Sequence, residues 1–429
     1  MIKRIFFLCI CLVSVFSVKN GFCAGSGGFR LEVPDAEALG KGSAFVAQAD
    51  NPSAIYYNPA GITQLKGKLN ASLGAAIIQP FCTYKDTSGN ETDRRRQIFT
   101  IPNVFAVSNL GLEKFAFGFG ASSYWGLGTY WAEDSFSKYV STKADYSTQD
   151  LMFTAAYAIN DNLSVGASAD YTKSNVNKKK KLDQSSWSGS DGDFQLKAKD
   201  DSAWGYRLST LYKLNKRHSF GLMYRSPVEV KYKGKIYLDN LSGTYQTLFE
   251  GRSAYEAQIT SKSTLPQSIL LGYCFKPGDK WRFEFDAEWM DWSSVKEEKI
   301  DYPSESAQHR QLLDGGNPVP KNWHSTFSYA FGTEYKVNDK LKLRGGYFFH
   351  KTPVPQATFN TNLPDSTSNS VTLGAGINLN KNIVLDFAYA AMFYAKRKIT
   401  NDVGSPSANI NGTYSSFINV YMATLTFKI

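Results

Sequence analysis

The chain has 429 residues, 20% charged and 42% hydrophobic, with 14% aromatic residues drawn mainly from 25 Tyr and 29 Phe. That aromatic share excludes disorder, collagen and coiled coil, and no Pro- or Ser-rich hinge divides the chain into separate soluble domains. A formal charge of +10 would admit a nucleic-acid partner, but the export signal at the start of the chain excludes one.

Lys3 and Arg4 precede an apolar run from Ile5 to Val18. The run is too short to cross about 30 Å of hydrocarbon as a helix. Small residues around Gly21, Cys23 and Ala24 supply a cleavage region, so residues 1–23 read as a secretory signal peptide. Phe22 before Cys23 argues against a lipoprotein. Cleavage leaves Cys82 and Cys274, too few for a disulfide framework and expected to stay unbonded.

The stretch Ala24–Lys66 is rich in small residues (Ala36, Ala38, Gly40, Gly42, Ala44, Ala47, Ala49) and shows no strand alternation. Beyond it, period-two alternation dominates. Trp281, Phe283, Phe285, Ala287 and Trp289 alternate with Arg282, Glu284, Asp286 and Glu288, one face aromatic and the other charged. Leu163 to Tyr171, Ile383 to Phe393 and the last strand, from Phe417 to Phe427, repeat the pattern. A soluble sandwich would bury the apolar face against a second layer; a membrane barrel turns it to lipid and keeps the charged face inside.

Six short polar connections punctuate the alternation, at Leu110–Lys114, Asn160–Asn162, Asn215–Arg217, Pro277–Lys280, Val337–Lys340 and Asn380–Asn382. Six periplasmic turns joining seven hairpins give 14 strands. The fold class is therefore all-β: a transmembrane antiparallel β-barrel of 14 strands over 67–429, with 24–66 as a hatch plugging the lumen. Aromatics near strand ends (Tyr124, Trp125, Tyr130, Trp131, Trp289, Trp292, Tyr347, Phe348, Phe349) are expected to form interfacial girdles. The basic runs Arg94–Arg96 and Lys178–Lys181 fall in outer loops, as solvated charge or as contacts to lipopolysaccharide phosphates. Long loops at Gly234–Ala254 and Ser293–Lys321 are placed over the barrel mouth.

No catalytic constellation emerges. His218, His309, His324 and His350 are scattered, and Ser325 next to His324 points to the opposite face of a strand. No Cys/His metal spacing and no phosphate-binding Gly loop is present, so no metal, cofactor or enzyme activity is expected.

Motifs recur through the mature chain: Leu39-Gly40-Lys41-Gly42-Ser43-Ala44, Asn51-Pro52-Ser53-Ala54, Tyr57-Asn58-Pro59-Ala60-Gly61, Tyr224-Arg225-Ser226-Pro227, Asp291-Trp292-Ser293, Leu343-Arg344-Gly345-Gly346-Tyr347 and Leu363-Pro364-Asp365. In order and spacing the sequence resembles the FadL/TodX outer-membrane transporters of long-chain fatty acids and aromatic hydrocarbons. The expected protein is a monomer in the outer membrane, in contact with its lipid and lipopolysaccharide, passing a hydrophobic small molecule; with no ATP motif and no plug domain of roughly a hundred residues, passive diffusion is the expected mode. The resemblance implies a hatch motif at Asn58, Pro59, Ala60 and Gly61. It also implies a kinked third strand with a lateral opening at Tyr124, Trp125, Gly126 and Gly128, and a basic residue facing a ligand carboxylate at about Lys173. Strand parity, by contrast, puts Lys173 with the lipid-facing set. The alternatives are a general porin or an adhesin barrel, which would not depend on a hatch.

Overall fold

The computed structural model describes residues 27–185 and 190–429; the signal peptide lies outside the described residues. Fourteen antiparallel strands close into one cylinder. They are β1 Asn70–Lys85, β2 Phe99–Ser108, β3 in two pieces (Phe115–Ser122 and Gly126–Tyr130), β4 Lys143–Ala158, β5 Leu163–Leu182 and β6 Gly192–Lys213. β7 (His218–Arg225 and Val228–Asp239) and β8 (Tyr255–Leu265 and Ser268–Phe275) are also broken. Then come β9 Trp281–Met290, β10 Thr326–Lys336, β11 Leu341–His350, β12 Ser368–Asn380, β13 Ile383–Tyr394 and β14 Gly412–Lys428. β1 pairs with β14 from Asn70↔Lys428 to Lys85↔Thr413, so the sheet has no free edge at its seam. Each of the six polar connections read from the sequence is a short turn between strands.

The two faces of β9 show why the sheet curls into a barrel. Glu284, Asp286 and Glu288 point into the lumen and are 2–5% exposed, whereas Trp281 and Phe285 are each 45% exposed on the outside. A soluble sheet would invert this arrangement, burying the aromatics. Cys82 and Cys274 are free and buried.

The lumen is filled by the chain's own start. From Leu31 through Ile62 nearly every residue is buried. The segment carries two single-turn helices, α1 Ala36–Leu39 and α2 Ala54–Tyr57, and a 3-10 turn, Pro59–Gln64. Asp35 caps α1 by accepting from the Ala38 amide at 3.1 Å. The small residues let this backbone lie against the wall, and the wall answers with glycines. A methyl group on Gly346 would stand 2.2 Å from the Gly42 nitrogen, and one on Gly166 would stand 2.4 Å from the Ala60 nitrogen.

Three sequence expectations are corrected here. Lys178–Lys181 belong to β5, which continues to Leu182 paired with β6, because this strand outruns the membrane. Arg94 is not a solvated loop charge: it is buried, donating to the carbonyls of Gly128 (3.3 Å) and Pro80 (3.2 Å). Tyr124, Trp125, Trp131, Trp292 and Phe348 are 1–3% exposed, so they pack the interior instead of forming girdles. They sit on inward-facing positions, on irregular backbone or in loops folded over the lumen, where alternation no longer predicts direction.

Candidate functional site

The plug is fastened to the wall by buried polar groups. On β9, Asp286 accepts from the amides of Phe45 (2.8 Å) and Val46 (3.0 Å), and Glu284 from those of Ala47 (2.7 Å) and Gln48 (2.9 Å). Four successive amides of a tight loop, which have no partners of their own, are thereby satisfied. Arg207 on β6 forks onto Asp170 at 2.6 and 2.7 Å and donates to the carbonyls of Ile55 (2.8 Å) and Tyr56 (3.0 Å) in α2. Arg344 on β11 joins Glu334 (2.8 Å) to Asp386 (2.6 Å) beneath α1.

Asn58 is fully buried at the start of the 3-10 turn. Its amide donates to the carbonyls of Val46 (2.8 Å) in the plug and Thr210 (3.0 Å) in the wall, while its oxygen accepts from the Ala60 amide at 3.1 Å. Pro59 fills the first turn position, where a missing N–H costs nothing. Gly61 packs against Ala49, leaving no room for a methyl group. All four residues of this motif thus lie together at the plug–wall contact.

The third strand breaks between Ser122 and Gly126. β2 pairs only with its first piece (Val104↔Ala121 to Ser108↔Phe117), and the second piece pairs only with β4 (Gly126↔Ser147 to Tyr130↔Lys143). Beside Phe99–Asn103 the wall therefore lacks a ladder on its β3 side. The freed backbone bonds inward: the Tyr124 carbonyl accepts from Leu31 at 2.8 Å, and the Gly126 amide donates to Phe29 at 2.8 Å. Asp150 and Thr148 on β4 accept from the amides of Tyr124 (2.9 Å) and Trp125 (3.2 Å). Gly126 and Gly128 do not take positive φ. The break is held by these exchanged partners, with no left-handed glycine required. Arg94 and the Arg95 amide, which bonds the Tyr130 carbonyl at 2.9 Å, tie off the top.

Above the plug lies a cavity of ≈ 150 Å³, lined by Phe29, Leu127, Val176, Leu196, Ile259 and Trp323 among others. Phe29 belongs to an aromatic cluster with Trp125 (centroids 5.4 Å apart) and Trp292 (5.0 Å), so the cavity floor abuts the β3 break. Its charged lining is Lys178 on β5, Lys262 on β8 and, from the loop after β9, Glu297, Glu298 and Lys321. Glu298 pairs with Lys178 and, at 3.3 Å, with Lys321. Burial raises the Glu298 pKa, but the two ammonium groups outweigh it and hold the carboxyl well below its usual range. Burial also pushes Lys321 down. Two cations share one anion here.

Lys173 is not at this cavity. Its ammonium lies over Tyr171 on the outer face, 6.0 Å from the ring centroid, between the buried Thr172 and Ser174. Strand parity excludes it and admits Val176 and Lys178, five residues further on and on the opposite face. Sequence reading missed Lys178, Glu298 and Lys321; the parity of β5 was the available signal for the first, and nothing local marked the other two.

Taken together, a lipid-facing cylinder, a lumen closed by its own amino-terminal segment and an apolar cavity beside a broken wall strand define an outer-membrane transport barrel. Residues 21–428 match the family described as outer membrane protein transport protein (OMPP1/FadL/TodX), and the chain belongs to that family. It is 24% identical to an outer membrane protein of Neisseria meningitidis serogroup B, with 97% of this chain and 98% of that protein aligned. It is 23% identical to the long-chain fatty acid transport protein of Escherichia coli O6:H1, over 89% and 90% of the two chains. The crystal structure of a Pseudomonas aeruginosa FadL homologue shares the fold with a TM-score of 0.81, at 20% identity over 94% of this chain and all of that one.

Proposed function

We propose that this barrel takes hydrophobic small molecules from the outside into the cavity above the plug and releases them sideways, through the unladdered wall beside β3, into the membrane. The observation that carries this reading is the adjacency of cavity and break: Phe29 and Leu127 line the cavity, and both flank the interrupted strand. The route suits the cargo, since each methylene kept wet costs roughly 0.8 kcal/mol, and sideways exit spares the chain contact with periplasmic water. The Asn58-Pro59-Ala60-Gly61 contact holds the plug in register, and its loosening accompanies passage. Movement is by diffusion down a gradient.

Among hydrophobic cargoes the cavity favours those ending in a carboxylate. Lys178 and Lys321 share only Glu298 between them, so a ligand anion completes the charge balance. A general porin reading is disfavoured by a lumen packed with buried plug residues.

The test is uptake of radiolabelled oleate and toluene by a deletion strain, with and without the complementing gene. Restoration of oleate uptake supports the reading. Wild-type uptake of both compounds without the gene rejects it, and preference for toluene alone rejects the carboxylate assignment.

A further inference from the structure

The outer face of β4–β8 carries an arrangement that, apart from Lys262 at the cavity rim, the transport route does not use. Four lysine pairs stand directly opposite one another on neighbouring strands: Lys143↔Lys179, Lys197↔Lys235, Lys199↔Lys233 and Lys231↔Lys262. Their neighbours Ala144, Leu196, Ala198, Tyr232 and Ile236 are buried, so alternation turns the lysines outward. Like charges directly opposite on an antiparallel pair destabilise it. Each pair is only half compensated: Lys143, Lys199, Lys231 and Lys235 contact Asp145, Asp201, Glu229 and Glu256 at 2.6–3.0 Å. The remaining lysine of each pair (179, 197, 233 and 262) has no carboxylate partner among the described residues.

The lysines begin just above an aromatic line on the same face. Tyr171 packs on Trp204 with centroids 5.1 Å apart, and Tyr206 on Tyr224 at 6.0 Å. Such rings mark the boundary between hydrocarbon and headgroups. From strand rise and spacing the lysine field covers roughly 20 by 20 Å. The opposite sector is different, for the outward upper positions of β10 and β13 hold Phe327 and Phe393, each more than half exposed.

We propose that this face binds a phosphorylated glycolipid of the outer leaflet, its phosphates seated between the paired lysines at the level just above the aromatic line. Each lysine near an anionic headgroup layer adds to the affinity, and the gain is screened by salt. The lipid supplies the counter-charge that the four uncompensated lysines lack, which turns a repulsive ladder into a cohesive one. Of the two basic runs, Arg94 and Lys178 are turned inward, whereas Lys179 belongs to this outward set.

The experiment uses the full mature protein in a zwitterionic detergent and a variant carrying Lys179→Gln, Lys197→Gln, Lys233→Gln and Lys262→Gln. Probes are diphosphoryl lipid A, dephosphorylated lipid A and inorganic phosphate. Wild type is expected to bind diphosphoryl lipid A at least about tenfold more tightly than the variant does, and than it binds the dephosphorylated lipid. Without lipid the variant is expected to melt higher than wild type, because the repulsion is gone; lipid A then raises the wild-type midpoint more. Equal affinities for the two proteins or the two lipids overturn the proposal, as does an equal midpoint shift with inorganic phosphate. Should the variant not fold, wild type alone decides: affinity that does not fall between about 50 and 500 mM salt overturns it.

Discussion

The guanidinium of Arg225 on β7 lies over the ring of Tyr124 at the break in β3, 3.4 Å from its centroid. Tyr56 of α2 offers a second ring at 5.5 Å. No ion pair among the described residues includes Arg225, and its Nε and one Nη have no hydrogen-bond partner. The contact reaches across the lumen and braces the displaced strand from within.

Removing the ring leaves the buried cation only the more distant Tyr56 ring and the longer-range pull of Asp170 and Asp150. Tyr124→Leu is expected to cost about 2 kcal/mol, seen as a lower midpoint of heat-modifiable mobility on gels. Adding Arg225→Met in that background is expected to recover part of the loss. A further loss instead of recovery would mean that the Tyr56 ring and the nearby carboxylates, and not Tyr124, chiefly hold Arg225.

Asn58→Ala removes both donors to Val46 and Thr210 and the acceptor for Ala60. The Ala60 amide keeps the Ser209 hydroxyl at 2.9 Å, but taking the side-chain donor from the two carbonyls costs about 1–3 kcal/mol. Because the strand ladders are untouched, the barrel is expected to fold while the plug loosens. Oleate uptake falls, and conductance to small ions rises in planar bilayers. Unchanged conductance together with loss of folded barrel would show the motif to be purely structural.

The shared anion at the cavity gives predictions of opposite sign. Glu298→Gln frees both ammonium groups and is expected to tighten oleate binding by about tenfold. Lys321→Met leaves Lys178 matched to Glu298 and is expected to weaken it by a similar factor. Neither change alters binding of a methyl ester, which carries no charge. Fluorescent fatty acid displacement measures all three.

Asp365, in the loop after β11, accepts from the Gly28 amide at 3.1 Å and the Thr352 hydroxyl at 2.5 Å. Burial raises its carboxyl to about 6 despite those donors. The unfolded value is about 3.9, so the folded protein takes up this proton first as pH falls. The contribution to stability therefore rises through pH 6 and levels off below about 4, with an amplitude of at most about 3 kcal/mol. The difference in thermal midpoint between wild type and Asp365→Asn, followed from pH 7.5 to pH 5, is expected to shift in favour of wild type on acidification. A pH-independent difference refutes it.

The strand count was legible because the periplasmic turns are short, polar and regularly spaced, as at Asn160–Asn162 and Asn380–Asn382. The direction of β9 was legible because four charges alternate with five apolar or aromatic residues. Alternation stops informing wherever backbone leaves the ladder, and so Tyr124 and Trp292 were assigned to the membrane boundary although they pack the lumen. Length misled as well: the membrane needs only the first half of β5, and the lysines beyond it resembled a loop. The cavity's charged trio joins positions 178, 298 and 321, and only the folded loops bring them into contact.

The plug ends at Gln64 and β1 begins at Asn70, so stopper and wall are almost continuous, and the cylinder's seam is β1 against β14. The amides of Lys68 and Leu69 donate to the final carbonyl, that of Ile429. The backbone that leads out of the stopper is thus bonded directly to the strand that closes the cylinder. A movement of the stopper therefore pulls on the very place where the tube is joined, so stopper and seam are mechanically one piece.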